Sequence, residues 1–265
     1  MDLRDKSVVV LGASQRGGTG WATATLASER GARVVVGGRR FEGVQELASE
    51  IDGLAVQCDA SVEADVVAMA EAAAAPDGVI DIAILAAGMP VIGTIDELDG
   101  TAWRSAIDNN FLSAVHFVRQ MARRMQAGGS IVILSSIVAI RQMPGYGSYA
   151  CAKGASEVLV RYAALEYAQR GIRVNAVSTG LIDSPMIAGL RAVPEAWNAF
   201  LKEIPLGKPV QPSEMAEACL WLSSPAAAVT GICVVVDNGY HLLRPPQPSE
   251  ISAGVYKQAN TQAGY

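Results

Sequence analysis

Tyr149 and Lys153 stand four residues apart in Tyr149-Ala150-Cys151-Ala152-Lys153. On a helix that spacing is about one turn, roughly 6 Å of rise, so a phenol and an ammonium share one face. A cation so placed favours the phenolate and lowers the phenol's pKa, which makes Tyr149 a proton donor and acceptor usable near neutrality. Ser136 closes a β-branched run thirteen residues earlier, with Met143-Pro144-Gly145-Tyr146-Gly147 supplying the turn between. A hydroxyl at the carboxyl end of a strand sits where open α/β sheets bind ligands. Asn109-Asn110 interrupts the helical stretch Trp103–Met125, and an amide in a helix interior is mildly unfavourable unless it has a task.

A second constellation precedes these. Leu11-Gly12-Ala13-Ser14-Gln15-Arg16-Gly17-Gly18-Thr19-Gly20 lies between a strand pattern and a helix pattern. Glycines there let backbone N–H groups approach a pyrophosphate, whose charge the helix N-terminus favours. Gly12, Ser14, Arg16, Gly18 and Gly20 are the candidate contacts, against the plainer reading of a tight turn. The second strand ends in Val36-Gly37-Gly38-Arg39-Arg40. At that tip a carboxylate selects NAD and an arginine accommodates the 2′-phosphate of NADP. No acid stands there, Arg39 and Arg40 follow, and Arg16 adds a third positive charge. NADP(H) is therefore preferred and NAD(H) stays possible; the alternative is that the two arginines are solvated charges at a helix start.

These groups need a scaffold that brings strand ends together. Short β-branched runs at Ser7–Leu11, Arg33–Gly37, Ala55–Cys58, Ile82–Ala86, Ser130–Ser135, Arg173–Val177 and Gly231–Val236 read as strands. Between them, Trp21–Arg30, Glu42–Glu50, Glu63–Ala74, Trp103–Met125, Tyr149–Arg170 and Glu214–Leu222 read as helices. That alternation predicts an α/β fold, a doubly wound parallel sheet covered on both faces. Residues 180–212 hold five prolines among short helical patches and read as a substrate lid. The domain is predicted to span 1–241, followed by a Pro-rich C-terminal tail over 242–265.

Composition narrows the function. Of 265 residues, 51% are hydrophobic and 18% charged, which excludes disorder. A net charge of −5 offers no basic footprint for nucleic acid or an anionic membrane. Four cysteines without a CxxC pair and two histidines leave a metal site few ligands, so none is expected. Scattered thiols fit a reducing compartment. The charged start Met1 to Ser7 reads as no secretory signal, and the uncharged run Ala218 to Val236 is broken by Ser223-Ser224-Pro225 and Thr230-Gly231. A soluble, cytoplasmic protein is the expectation.

With Cys58-Asp59, Ala86-Ala87-Gly88, Asn175-Ala176-Val177 and Val236-Asp237-Asn238-Gly239 added in order, the chain from Leu3 to Tyr240 resembles the short-chain dehydrogenase/reductase family. The resemblance implies a Rossmann-type fold and a catalytic set of Asn110, Ser136, Tyr149 and Lys153. Tyr149 would exchange a proton with a carbonyl or alcohol while hydride moves to or from a nicotinamide. Ser136 would hold the substrate oxygen, Lys153 the nicotinamide ribose, and Asn110 a water in the relay behind Lys153. Asp59 would contact adenine, and Ala87, Gly88 and Gly180 would lie along the cofactor. A homotetramer or homodimer packed through the two long helices is also implied. Three departures stand out: Gly12 and Gly18 are separated by five residues, about two more than the family's loop; Leu85-Ala86 replaces Asn-Asn; and Thr179 replaces a proline.

Substrate choice falls to the lid and the turn before Tyr149. Gln142, Met143 and Tyr146 are placed to face the reacting carbon, while Met186, Ile187, Leu190, Trp197 and Phe200 supply apolar area. An apolar ketone or secondary alcohol of modest size fits, against the reading that these residues only pack the lid. Arg191 and Lys202 leave an anionic substrate open. So do Arg123-Arg124 and Arg170 for a second reading, 3-oxoacyl-(acyl-carrier-protein) reduction. A third reading is a non-catalytic dinucleotide-binding regulator.

Overall fold

Seven parallel strands form one sheet in the computed structural model, which describes residues 1–74, 78–246 and 250. They are β1 (Ser7–Leu11), β2 (Arg33–Gly38), β3 (Leu54–Gln57), β4 (Ile82–Leu85), β5 (Ser130–Ser136), β6 (Arg173–Thr179) and β7 (Cys233–Val236), in the order β3-β2-β1-β4-β5-β6-β7. The winding direction reverses between β1 and β4, which opens a crevice at the carboxyl ends of the strands. Central strands of such a sheet are buried on both faces, so they read as continuous apolar runs. Val8, Val9 and Val10 are all fully buried.

Alternation along the strands divides the core in two. Val9, Leu11, Ile131, Ile133, Val174 and Ala176 pack with Met69, Phe117 and Val160, which belong to α3 (Glu63–Ala74), α5 (Ser113–Arg123) and α6 (Gly147–Tyr167). Val8, Val10, Val36, Val132 and Val177 turn the other way, onto α1 (Thr19–Glu29), α2 (Phe41–Glu50) and α9 (Pro212–Ser223). A third, smaller cluster joins Ile137, Leu181, Phe200, Ile204 and Tyr240 above the strand ends. It includes α8 (Pro194–Lys202), which with α7 (Ala188–Arg191) and the 3-10 turn Pro185–Ile187 makes up the region predicted as a lid.

The helical stretch predicted over Trp103–Met125 changes its winding where Asn109-Asn110 interrupts it. It begins as α4 (Gly100–Ile107), where the Asp99 carboxylate caps the N–H groups of Thr101 and Ala102, and widens into a π-turn at Asp108–Leu112 before α5. Apolar periodicity cannot register such a bulge. β5 and β6 run further than their β-branched cores suggest, to Ser136 and Thr179, because those two residues pair in register. At the other end, β7 starts at Cys233, since Gly231 holds a left-handed φ of 77° in the preceding turn. Most of the predicted tail, 247–249 and 251–265, lies outside the described residues.

Candidate active site

The first turns of α6 carry Tyr149 and Lys153 to the carboxyl end of β5. That approach is pinned from the loop after β4, where Gly93 N–H donates to the Gly145 carbonyl at 2.8 Å and the Ser148 hydroxyl donates to the Val91 carbonyl at 3.1 Å. Ser136 and Tyr149 hydrogen-bond through their hydroxyls. Lys153 is 4% exposed, and its Nζ lies 5.7 Å from the Tyr149 ring centroid. Its proton goes to the sheet, to the Leu134 carbonyl at 2.8 Å.

The electrostatics differ from the expectation of a phenol lowered by its neighbouring ammonium. Burial pushes the Tyr149 phenol up to about 12, against the opposing pull of the Ser136 hydroxyl. Burial likewise brings Lys153 down to about 8, with the Glu157 carboxylate acting in the opposite sense. Desolvation sets both shifts: Lys153 is buried with its amine turned to the Leu134 carbonyl, and Tyr149 is half-buried beside the end of β5. At neutral pH the phenol therefore holds its proton.

Asn110 occupies the π-turn and is 2% exposed. Its Oδ1 accepts from Met89 N–H at 3.0 Å, and its Nδ2 donates to the carbonyls of Met89 at 2.8 Å and Ala106 at 3.0 Å. The amide thus ties the loop after β4 to the broken helix, which is the task its position called for. Its backbone carbonyl accepts from the Ser156 hydroxyl at 2.8 Å, one turn beyond Lys153 on α6.

A cleft of about 540 Å³ opens over the switch point between β1 and β4. Gly12, Ser14, Arg39, Arg40, Asp59, Ala87 and Gly88 line it. Gly12 has φ 100°, and a Cβ there would lie 2.3 Å from the Ala87 nitrogen. A Cβ at Gly20 would meet the Gly12 carbonyl oxygen at 2.3 Å, so the loop admits only glycine at both places and keeps its backbone open to a ligand. Gly18 is the N-cap of α1, with its N–H bonded to the Gln15 carbonyl at 2.9 Å. These features fit a dinucleotide: a backbone-lined turn, a helix N-terminus and two exposed arginines at the strand-two tip. The Asp59 carboxylate accepts from the Ser61 N–H at 2.9 Å and hydroxyl at 2.7 Å.

Arg16 turns away from this cleft. Its guanidinium pairs with Glu46 at 2.8 Å and with Glu50, both on α2, and lies 4.5 Å from the Trp21 ring centroid. The longer glycine loop is thereby folded outward and fastened to α2, where the nearer carboxylates hold the charge.

The cleft continues into a second cavity of about 260 Å³, with Pro90, Ile92 and Met186 lining both. Ser136, Tyr149, Thr179 and Gly180 form its polar end, and Tyr146 also borders it. Gln142 is exposed and lies outside the lining, since the chain turns after the 3-10 segment Ile137–Ala139. Ile137, Ser184 and Tyr240 line the cavity without having been singled out from the sequence. Ser184 and Tyr240 belong to loop segments whose direction no periodic pattern reports. Among the described residues no group of three or more His, Cys, Asp or Glu is placed to hold a metal, and no helix is long and apolar enough to cross a membrane.

Residues 12–241 match a family model described as enoyl-(acyl carrier protein) reductase. The chain is 38% identical over 245 residues to a cis-4-hydroxycyclohexanecarboxylate dehydrogenase of Sinomonas cyclohexanicum, covering 89% of this chain and 96% of that one. It is 36% identical over 253 residues to 3beta-hydroxysteroid dehydrogenase 1 of Eggerthella lenta, covering 91% and 95%. A solved short-chain type dehydrogenase/reductase from Mycobacterium ulcerans superposes with TM-score 0.89 at 28% identity, covering 94% of each chain.

Proposed function

The chain belongs to the short-chain dehydrogenase/reductase family, an NAD(P)-dependent oxidoreductase lineage, and on that premise we propose that it interconverts an apolar ketone or aldehyde and its alcohol with NADP(H). The observation that carries this reading is the Tyr149 phenol, hydrogen-bonded to Ser136 at the polar end of an otherwise apolar cavity that opens into the dinucleotide cleft. A nicotinamide bound there supplies or accepts the hydride. Tyr149 gives its proton to the carbonyl oxygen in reduction, leaving a phenolate, and that phenolate form takes the alcohol's proton in oxidation. Ser136 orients that oxygen. Lys153 holds the nicotinamide ribose, and Asn110 keeps the loop after β4 in place beside it.

Arg39 and Arg40 support the preference for NADP(H), since both line the cleft at the strand-two tip with no acid beside them in sequence. Reduction on a carrier protein finds less support. Arg170 donates to the carbonyls of Ala122 and Met125 at the end of α5, Arg124 pairs with Glu71, and Arg123 donates to the Gln120 side chain, so all three are engaged within the chain. The same reading makes the chain a cytoplasmic homotetramer or homodimer with one domain over 1–241, a lid near 180–212 and a tail over 242–265. Val158, Tyr162 and Leu165 on α6, exposed at 43%, 63% and 74%, are apolar area of the kind a second copy covers.

Tyr149→Phe is the direct test. Turnover of ketones with NADPH is expected to fall by about 10²–10⁴-fold, while NADP(H) binding measured by calorimetry is kept. Unchanged turnover contradicts the proposal; absence of turnover in the parent across a ketone and alcohol panel favours the non-catalytic regulator.

A further inference from the structure

We infer that Tyr240 sets the size of the substrate this cavity accepts, and that Arg141 is the positioning residue that holds the Tyr240 ring as one of its walls. The inference deepens the proposed function, because it concerns the same cavity and rests on that reading.

Tyr240 follows the end of β7 and begins the 3-10 turn Tyr240–Leu242, where it is 5% exposed. Its ring packs directly on Gly180, so that a Cβ at 180 would lie 2.7 Å from Tyr240 Cδ1. Phe200 of α8 meets it with ring centroids 6.4 Å apart at 47°, and both rings line the cavity. Arg141 stands outside the lining, with its guanidinium 4.6 Å from the centroid of the Tyr240 ring and its Nη1 donating to the Tyr240 carbonyl. The Nη2 of Arg141 is buried and has no hydrogen-bond partner among the described residues, so this cation is committed to the stack. Arg141 is itself anchored next to the reacting end, since its N–H donates to the Ile137 carbonyl at 2.7 Å, one residue beyond Ser136.

The turn below Tyr240 is equally fixed. The buried Asp237 carboxylate accepts from the N–H groups of Gly239 at 2.9 Å and His241 at 2.6 Å. The aromatic wall therefore cannot retreat without breaking contacts on both sides. The cavity of about 260 Å³ lies just under the roughly 300–1,000 Å³ of drug-sized sites, and no charged residue lines it. Burying an unpaired carboxylate there is strongly unfavourable. The wall thus favours an uncharged secondary alcohol or ketone built on a single ring over one built on fused rings.

The experiment compares the full chain loaded with NADP(H) against Tyr240→Ala, Tyr240→Phe, Arg141→Met and Arg141→Lys, using cyclohexanol and the fused-ring decahydro-2-naphthol. Binding is read by calorimetry beside turnover. The parent is expected to favour the single ring by tenfold or more. Tyr240→Ala should raise the fused-to-single ratio at least tenfold, and Tyr240→Phe should keep the parent's ratio. Arg141→Met should raise that ratio severalfold through KM with little change in kcat, and Arg141→Lys should restore part of it. If Tyr240→Ala does not fold, Tyr240→Leu carries the same expectation in milder form. A parent that binds both alcohols equally, or neither, overturns the inference, as does a folded Tyr240 variant with an unchanged ratio. Size-selective binding without turnover would sink the redox reading and leave this one standing; turnover without size selection does the reverse.

Discussion

Lys153 Nζ donates to the backbone carbonyl of Leu134 at 2.8 Å, two residues before the hydroxyl that meets Tyr149. The amine is thus joined to the same strand that carries Ser136. Its position, and with it that of the Tyr149 face of α6, depends on the sheet.

Burial of that amine has a consequence for stability. The folded chain releases the Lys153 proton near pH 8 and an ordinary lysine near 10.5, so the unfolded chain holds the extra proton between them. Stability from this group therefore rises as pH climbs through that window, by up to ~3 kcal/mol. Tyr149, raised from 10.0 to about 12, acts in the opposite direction above pH 10. Urea unfolding between pH 8 and 10 should show the parent gaining stability relative to Lys153→Met, while the thiols of Cys58, Cys219 and Cys233, raised by burial from 9.0 to about 12, lower both curves alike above pH 9. Parallel curves would contradict it.

Arg39 and Arg40 are expected to read the 2′-phosphate. Replacing both with Ala should raise KM for NADP(H) about tenfold or more, the value of one or two charge-assisted hydrogen bonds, and leave NAD(H) within about twofold. Equal losses for both cofactors would point to a damaged loop instead.

Gly12→Ala places a Cβ 2.3 Å from backbone that cannot yield, at a φ of 100°. We expect a loss of about 3 kcal/mol or more on thermal unfolding, together with loss of dinucleotide binding. Near-parental stability would show that the turn has another conformation.

Thr179 stands beside Ser136 in register, and its buried hydroxyl has no hydrogen-bond partner among the described residues. Thr179→Val keeps the branched shape and removes the orphaned group. The expected gain is about 1 kcal/mol, or roughly 2–4 °C in Tm. A lower Tm would mean the hydroxyl is bonded in solution.

The sequence by itself determined the alternation of strands and helices, the direction of the chain through the sheet and the pairing of Tyr149 with Lys153. β1 at Ser7–Leu11 and α3 at Glu63–Ala74 lie where their patterns put them. These are local signals: an apolar period or a one-turn spacing is complete within a dozen residues. Tertiary structure decided what such signals do not contain. The π-turn at Asn110 answers to Met89, twenty-one residues away, and Arg16 answers to Glu46 and Glu50 on another helix. Gln142 leaves the cavity while Tyr240, ninety-nine residues beyond Arg141, becomes its wall. Charge direction and burial depend on which distant groups arrive alongside, and the desolvation of a buried Lys153 and a half-buried Tyr149 is what reversed the expected shift of the phenol.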